Sequence, residues 1–179
     1  KVGLSYIENM NFSKIVQQDY TLSSGLGGLH HGTNTVEMAN AYSTLENHGE
    51  YRQADCISSI LDASGNEIYE EPESKTVYTR SASDQMTDIL EGVLNSSAGT
   101  AKGLKWSSAS DVAAAAKTGT TNDNNVAWFC GYTPYYTISV WVGYDYPKSV
   151  KGLWGNTYPA YIWKEAMLYM IDGKDEADF

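Results

Sequence analysis

The run Lys117-Thr118-Gly119-Thr120-Thr121-Asn122-Asp123 carries the chemistry of this sequence. It sets one cation, several small hydroxyls and a glycine at the end of a predicted strand. Alternation along a strand puts Thr118 and Thr120 on one face, where two hydroxyls can grip one carboxylate. Gly119 leaves room for a ligand or a neighbouring backbone to come close. Free backbone N–H groups on such an edge can polarise a carbonyl, as in an oxyanion hole. Lys117 falls on the opposite face of an ideal strand, so its ammonium reaches the same site only through local twist and its long stem. Lys-Thr-Gly alone also suits an ordinary exposed strand end, and the surroundings decide between the two.

Other candidate clusters carry less. His30, His31 and His48 sit beside Gly or Asn in turn-like segments without metal-ligand spacing, so no zinc site is expected. Cys56 and Cys130 form no CxxC and are expected as buried free thiols rather than a disulfide. Glu70, Glu71 and Glu73 read as a solvated charge run, since Pro72 and the lack of an Asx-Gly loop offer no calcium cage. Ser23 to Gly28 is glycine-rich but is not a dinucleotide fingerprint and follows no strand, so it reads as a tight turn. Tyr135, Tyr136, Tyr144, Tyr146, Trp154 and Tyr158 would suit a glycan platform, but half-buried sheet aromatics and a capping loop account for them more simply.

Three strands are expected to position Lys117: about 112–120, 126–132 and 136–144, with Thr133-Pro134 turning the last two into an antiparallel hairpin. In the third, Ile138, Val140 and Val142 alternate with Thr137, Ser139 and Trp141. A helix should start after Asn34, an N-cap with Glu37 three residues on, as in a capping box. Its buried faces are assigned to Val36, Met38, Ala39, Ala41, Tyr42 and Leu45, and Asn47-His48-Gly49 ends it. A second helix runs from Ser81 or Ser83 to Asn95 with Met86, Ile89, Leu90, Val93 and Leu94 as its apolar stripe. A last helix starts near Pro159 and packs through Ile162, Trp163, Ala166, Met167 and Met170. Residues 1–12 read as a helix end with Leu4, Ile7 and Met10 in phase. Residues 57–61 and 67–69 read as short strands about the turn Asp62–Asn66. Helices, then an antiparallel sheet, then a closing helix make an α+β fold.

The whole chain has 179 residues, with 12 Lys plus Arg against 22 Asp plus Glu, a formal charge of −10. That balance opposes a nucleic-acid partner or a polybasic membrane face. No stretch approaches the ~20 apolar residues of a membrane span. The start at Lys1-Val2-Gly3 shows no initiator Met and no signal pattern, which reads as a piece of a longer protein. There are 14 Tyr and 5 Trp but only 3 Phe, so an acidic, Tyr/Trp-rich glycan-binding module of a secreted protein is the alternative to an enzyme.

Lys-Thr-Gly is the third element of the penicillin-recognising serine enzymes, after S-x-x-K and S-D-N. The neighbourhood resembles the transpeptidase domain of class A, bifunctional penicillin-binding proteins. The likeness lies in Leu26-Gly27-Gly28, Gly32 to Tyr42, the Ile57…Asp62…Gly65 hairpin, Gly99-Thr100-Ala101 and Lys117 to Thr121. It continues through Ala127 to Pro134, Val140 to Tyr144 and Tyr158 to Trp163, spanning nearly the whole chain in the family's order.

The resemblance implies a serine that attacks the D-Ala-D-Ala end of a peptidoglycan stem peptide, releases D-Ala and passes the acyl group to an amine. β-Lactams would acylate the same serine. Lys117 matches the motif lysine, Thr118 and Thr120 the carboxylate-binding hydroxyls, Gly119 the motif glycine, and the Thr120 N–H one oxyanion donor. The resemblance implies no metal, no cofactor and no nucleic acid. It implies the extracytoplasmic face of a bacterial membrane, reached through an anchor outside this chain.

Departures matter equally. No Ser has Lys three residues later, so the nucleophile and its base are expected upstream, and residues 1–179 read as the C-terminal portion of one domain. Ser64-Gly65-Asn66 is a turn rather than the second motif. Ala116 stands where the family often has Gly, and Val126 where it often has Asp.

Overall fold

The sheet that carries Lys117 forms as an antiparallel meander, in a computed structural model that describes residues 2–179. Strands β3 (Ala115–Thr120), β4 (Val126–Tyr132) and β5 (Thr137–Gly143) lie side by side in that order. They are preceded by α1 (Val2–Asn9), α2 (Thr35–Glu46), β1 (Glu50–Arg52), β2 (Ser74–Thr76) and α3 (Arg80–Asn95), and followed by α4 (Tyr158–Ile171). The order is the α+β arrangement expected from the sequence.

Both hairpin turns of the sheet are held by threonine hydroxyls. Thr121 Oγ1 accepts from the N–H groups of Asn125 and Val126, each at 3.1 Å. Thr133 Oγ1 accepts from Tyr135 and Tyr136 N–H at 3.3 and 3.2 Å. These bonds satisfy turn amides that the ladder leaves open.

α4 covers one face of the sheet. Trp163 is fully buried, with its ring centroid 5.1 Å from both Phe129 and Trp106. Its indole N–H donates to the Gly131 carbonyl at 3.1 Å, so the polar edge of the ring is satisfied. Leu94, Leu104, Ala114, Ala116 and Met167 complete that core. α2 lies on the opposite side, where Tyr42 and Leu45 pack with Leu90, Ala115 and Tyr132. α3 joins the two layers: Leu94 enters the first core, Leu90 the second, and Thr87 shares a 2.9 Å hydrogen bond with the Tyr132 hydroxyl.

Helix starts follow the capping chemistry. Asn34 Oδ1 accepts from Glu37 N–H at 2.9 Å. The return arm of the expected capping box is absent. Glu37 instead accepts from the Ser13 N–H and hydroxyl at 2.9 and 2.6 Å and from the Thr33 hydroxyl at 2.8 Å. α3 begins at Arg80, earlier than expected, because Thr79 caps it by accepting from Ala82 N–H. Gly49, at φ +95°, closes α2 as expected, where a Cβ would meet the Tyr78 carbonyl oxygen at 2.2 Å.

Several burial expectations fail together. In α3 the buried residues are Ser83, Thr87, Leu90 and Leu94, while Met86 and Ile89 are exposed. In α2 Val36 is 61% exposed, and in α4 Ile162 and Met170 face outward while Pro159, Ala160 and Ile171 are buried. Periodicity marks an apolar stripe, but the neighbours present choose which part of it is covered. Cys56 is exposed and only Cys130 is buried; both are free. Val112 and Ala114 are buried outside the strand, where Ala113 N–H meets the Ala177 carbonyl instead.

The expected strands at 57–61 and 67–69 reduce to one bridge, Leu61 to Glu67. The turn itself is real: Asp62 Oδ1 accepts from Ser64 and Asn66 N–H at 2.7 and 2.9 Å. Ile57, Ile60, Leu61 and Ile68 are all exposed, and an uncovered hairpin is at best marginal. β1 and β2 pair instead, Tyr51 opposite Lys75.

Candidate active site

β3 is an edge strand, and its ladder fixes which amides are free. Thr121 N–H donates to the Val126 carbonyl at 3.0 Å. The antiparallel alternation then turns the Lys117 and Gly119 N–H groups toward β4 and the Thr118 and Thr120 N–H groups toward the open edge. Two donors therefore face outward, two residues apart.

Side chains divide by the same period. Lys117 and Gly119 pair with Cys130 and Trp128, on the side of the sheet where Met38 and Tyr42 of α2 lie. Thr118 and Thr120 share the other face, as the alternation requires. All four nonetheless line one open cleft of about 240 Å³, together with Leu26, Gly27 and Leu29. The Lys117 ammonium curls over the edge and donates to the Thr118 carbonyl at 2.7 Å. Lys117 thus lines the cleft from its own face of the strand, and its long stem carries the ammonium to the strand edge.

Both hydroxyls already have protein partners. Thr120 Oγ1 accepts from Gly155 N–H at 2.9 Å. Thr118 Oγ1 lies 3.0 Å from Thr100 Oγ1. Asn156 Nδ2 donates to the Thr100 carbonyl at 2.9 Å, tying the loop before α4 to the turn after α3. Trp154, in the same loop, donates its N–H to the Thr157 hydroxyl.

The wall opposite β3 is held by a buried carboxylate. Asp19 accepts from Val16 N–H at 2.8 Å and from His30 N–H at 2.5 Å, and the Ser24 hydroxyl donates to its carbonyl. The His30 and Val16 amides hold the Asp19 carboxyl below its usual range, outweighing its burial. Burial pushes Glu37 up, but the hydrogen bonds from Ser13 and Thr33 outweigh it and leave the group lowered. These two acids thus position the segment that carries Leu26 and Gly27.

Beneath Lys117, Cys130 Sγ lies 3.1 Å from Ser139 Oγ. Burial pushes the Cys130 thiol up to about 11, against the lowering pull of Ser139 and of the Lys117 ammonium. It stays a neutral thiol at physiological pH and does not pair with the lysine charge.

Thr100, Gly155, Asn156 and Asp19 were not legible as site residues. Gly99-Thr100-Ala101 belongs to the resembling segments, but nothing local shows that Thr100 meets Thr118. Gly155 and Asn156 lie in an aperiodic loop, and Asp19 is a lone acid in a loop-rich stretch. Ser64-Gly65-Asn66, read as a turn, is exposed and forms one.

An edge strand with a lysine, two threonine hydroxyls and outward amides thus lies between α2 and the loop before α4. The family model of the penicillin binding protein transpeptidase domain matches residues 6–168, and the chain belongs to that family. Penicillin-binding protein 4 of Bacillus subtilis is 35% identical over 163 residues, covering 90% of this chain and 25% of that protein. Penicillin-binding protein 1A of Clostridium botulinum is 35% identical over 146 residues, covering 81% of this chain and 17% of that protein. The structure of the PonA1 protein of Mycobacterium tuberculosis in complex with penicillin V aligns with a TM-score of 0.75 at 23% identity. That alignment covers 97% of this chain and 50% of the solved one, and it shows a shared fold. The chain therefore spans a quarter or less of the length of these curated relatives. A family match of this extent leaves the glycan-binding module without support.

Proposed function

We propose that this chain is the C-terminal part of the transpeptidase domain of a class A penicillin-binding protein, and that it forms the substrate-binding side of a peptidoglycan cross-linking site. The observation that carries the reading is the gathering of Lys117, Thr118, Gly119 and Thr120 on one cleft with two amides free at the strand edge. The reaction is acyl transfer. A serine from the upstream segment attacks the carbonyl of a D-Ala-D-Ala stem peptide, D-Ala leaves, and an amine of a neighbouring strand accepts the acyl group.

Each residue here has a part in it. The Thr120 N–H donates to the oxygen that becomes negative, and losing one such donor typically costs ~100–1,000-fold in rate. The Thr118 and Thr120 hydroxyls hold the terminal carboxylate of the peptide or of a β-lactam. The Lys117 ammonium supports the proton network and the substrate's negative charge. Gly119 keeps the strand open to a closely approaching ligand.

The upstream part of the same domain is the expected partner. The reading is supported by the exposed Val36, Met86, Ile89 and Ile162, and by β5, whose outer edge pairs with no strand among the described residues. Among those residues no helix is long and apolar enough to cross a membrane. The site works on the extracytoplasmic face, held there by an anchor outside this chain.

The intact gene product should be labelled covalently by a fluorescent penicillin, and residues 1–179 alone should not. Lys117→Ala in the intact product should slow labelling by about 10–100-fold, the size of a lost charge-assisted hydrogen bond. An unlabelled intact product would overturn the reading. A penicilloyl adduct on residues 1–179 would overturn the placement of the nucleophile upstream.

A further inference from the structure

The two hydroxyls of β3 can hold a carboxylate only if they donate to it. A threonine hydroxyl has one proton and two acceptor lone pairs, whereas an ionised carboxylate only accepts. Any protein group that takes the hydroxyl proton would silence the site. Any group that donates to the hydroxyl oxygen turns its proton outward and strengthens it as a donor.

For Thr120 the direction is settled, because its partner is the Gly155 backbone N–H, a group that can only donate. For Thr118 the partner is another hydroxyl, Thr100, 3.0 Å away, and either atom can be the donor. Thr100 is in turn tied to the same loop, since Asn156 Nδ2 donates to its carbonyl at 2.9 Å. A single dipeptide, Gly155-Asn156, therefore serves both threonines, one directly and one through Thr100. The loop is seated tightly: a Cβ on Gly155 would lie 2.8 Å from both the nitrogen and the oxygen of Gly119.

We propose that Thr100, held by Asn156, is a positioning residue that donates its hydroxyl proton to Thr118 and so, in parallel with Gly155 and Thr120, turns both β3 hydroxyls into donors toward the ligand carboxylate. The inference rests on the proposed transpeptidase reading and adds to it a determinant of specificity for the anion. With a carboxylate bound, Thr118 accepts from Thr100 and donates to the ligand, so every proton has one acceptor. Without Thr100 the Thr118 proton is free to turn elsewhere, and the site loses part of its preference for an anion over a neutral group. Neither Thr100 nor Asn156 touches the reacting carbonyl in this scheme, so the effect belongs to binding rather than to acyl transfer.

The test uses the intact gene product and a pair of probes, a fluorescent penicillin and its carboxyl methyl ester. Acylation by each is resolved into the concentration for half-maximal rate and the limiting rate. Thr100→Val keeps the side-chain shape and removes the hydroxyl. It should raise the half-maximal concentration for the free acid by about 3–10-fold, the worth of one oriented hydrogen bond, and leave the limiting rate within about twofold. The ester should change by less than about twofold. Thr100→Ser should restore the wild-type values, and Asn156→Ala should weaken free-acid binding in the same sense. An equal loss for acid and ester would mean that Thr100 only shapes the strand, and would overturn the proposal. So would unchanged or tighter binding of the acid by Thr100→Val, which would mean that Thr118 had been donating to Thr100. Absence of labelling in the wild-type intact product would instead overturn the transpeptidase reading on which the inference stands.

Discussion

Gly155 lies so close over Gly119 that a Cβ on it would meet Gly119 N and O at 2.8 Å and the Thr118 Cβ at 2.9 Å. The contact is backbone against backbone, which no rotamer change can relieve. It places the Gly155 N–H where it donates to Thr120, and it seats the loop that carries Asn156.

Gly155→Ala should therefore lift the loop from β3 rather than be absorbed. Overpacking of this kind costs about 1–3 kcal/mol. In the intact protein, thermal unfolding should shift down, and penicillin labelling should weaken more than the stability loss explains, because Thr120 loses its donor. Labelling and melting indistinguishable from wild type would show that the loop is free to move.

Acid should loosen the Leu26–Gly27 wall of the cleft before it affects the sheet. Asp19 and Glu37 are both held below their ordinary values of 3.8 and 4.5. A lowered carboxyl adds stability that is complete above its unfolded value and is lost as the pH falls through its folded value. As the pH falls below about 3.8, the ordinary value of Asp19, amide hydrogen exchange should quicken first at Val16 and His30, whose N–H groups Asp19 holds. Asp19→Asn should abolish that step at these two amides. Simultaneous loss of protection in β3 and β4 would contradict it.

The core beneath the sheet gives a third expectation. Gly131 admits the Trp163 ring, whose Cζ2 would lie 2.8 Å from a Cβ at that position. Gly131→Ala should destabilise by about 1–3 kcal/mol, lowering Tm by several degrees, because Trp163 is wedged between Phe129 and Trp106 and also bonds the Gly131 carbonyl. An unchanged Tm would mean that α4 can shift by itself.

The sheet was legible because its signals are local. Thr137–Gly143 alternates as a strand does, Val126–Tyr132 is a short run of apolar residues and glycine, Thr133-Pro134 marks a turn, and Asn34 declares a helix start within four residues. The order of Lys117, Thr118, Gly119 and Thr120, with the segments around them, was enough to place the chain in its family. What failed was burial. Met86, Ile89, Val36 and Ile162 lie on apolar stripes yet are exposed, because a stripe states what can be covered and the neighbours state what is.

By itself the sequence determined the elements, the face shared by Thr118 and Thr120, and the lack of a serine three residues before a lysine. Only the tertiary structure decided that Lys117, Thr118, Gly119 and Thr120 line one cleft with Leu26 and Gly27, that the Thr118 and Thr120 amides face an open edge, and that Thr100 and Gly155 attend the two hydroxyls. The reason is separation. Thr100 and Thr118 are 18 residues apart and Thr120 and Gly155 are 35, so no periodicity links them, and only the packing of a loop and a turn against β3 brings them within hydrogen-bond reach.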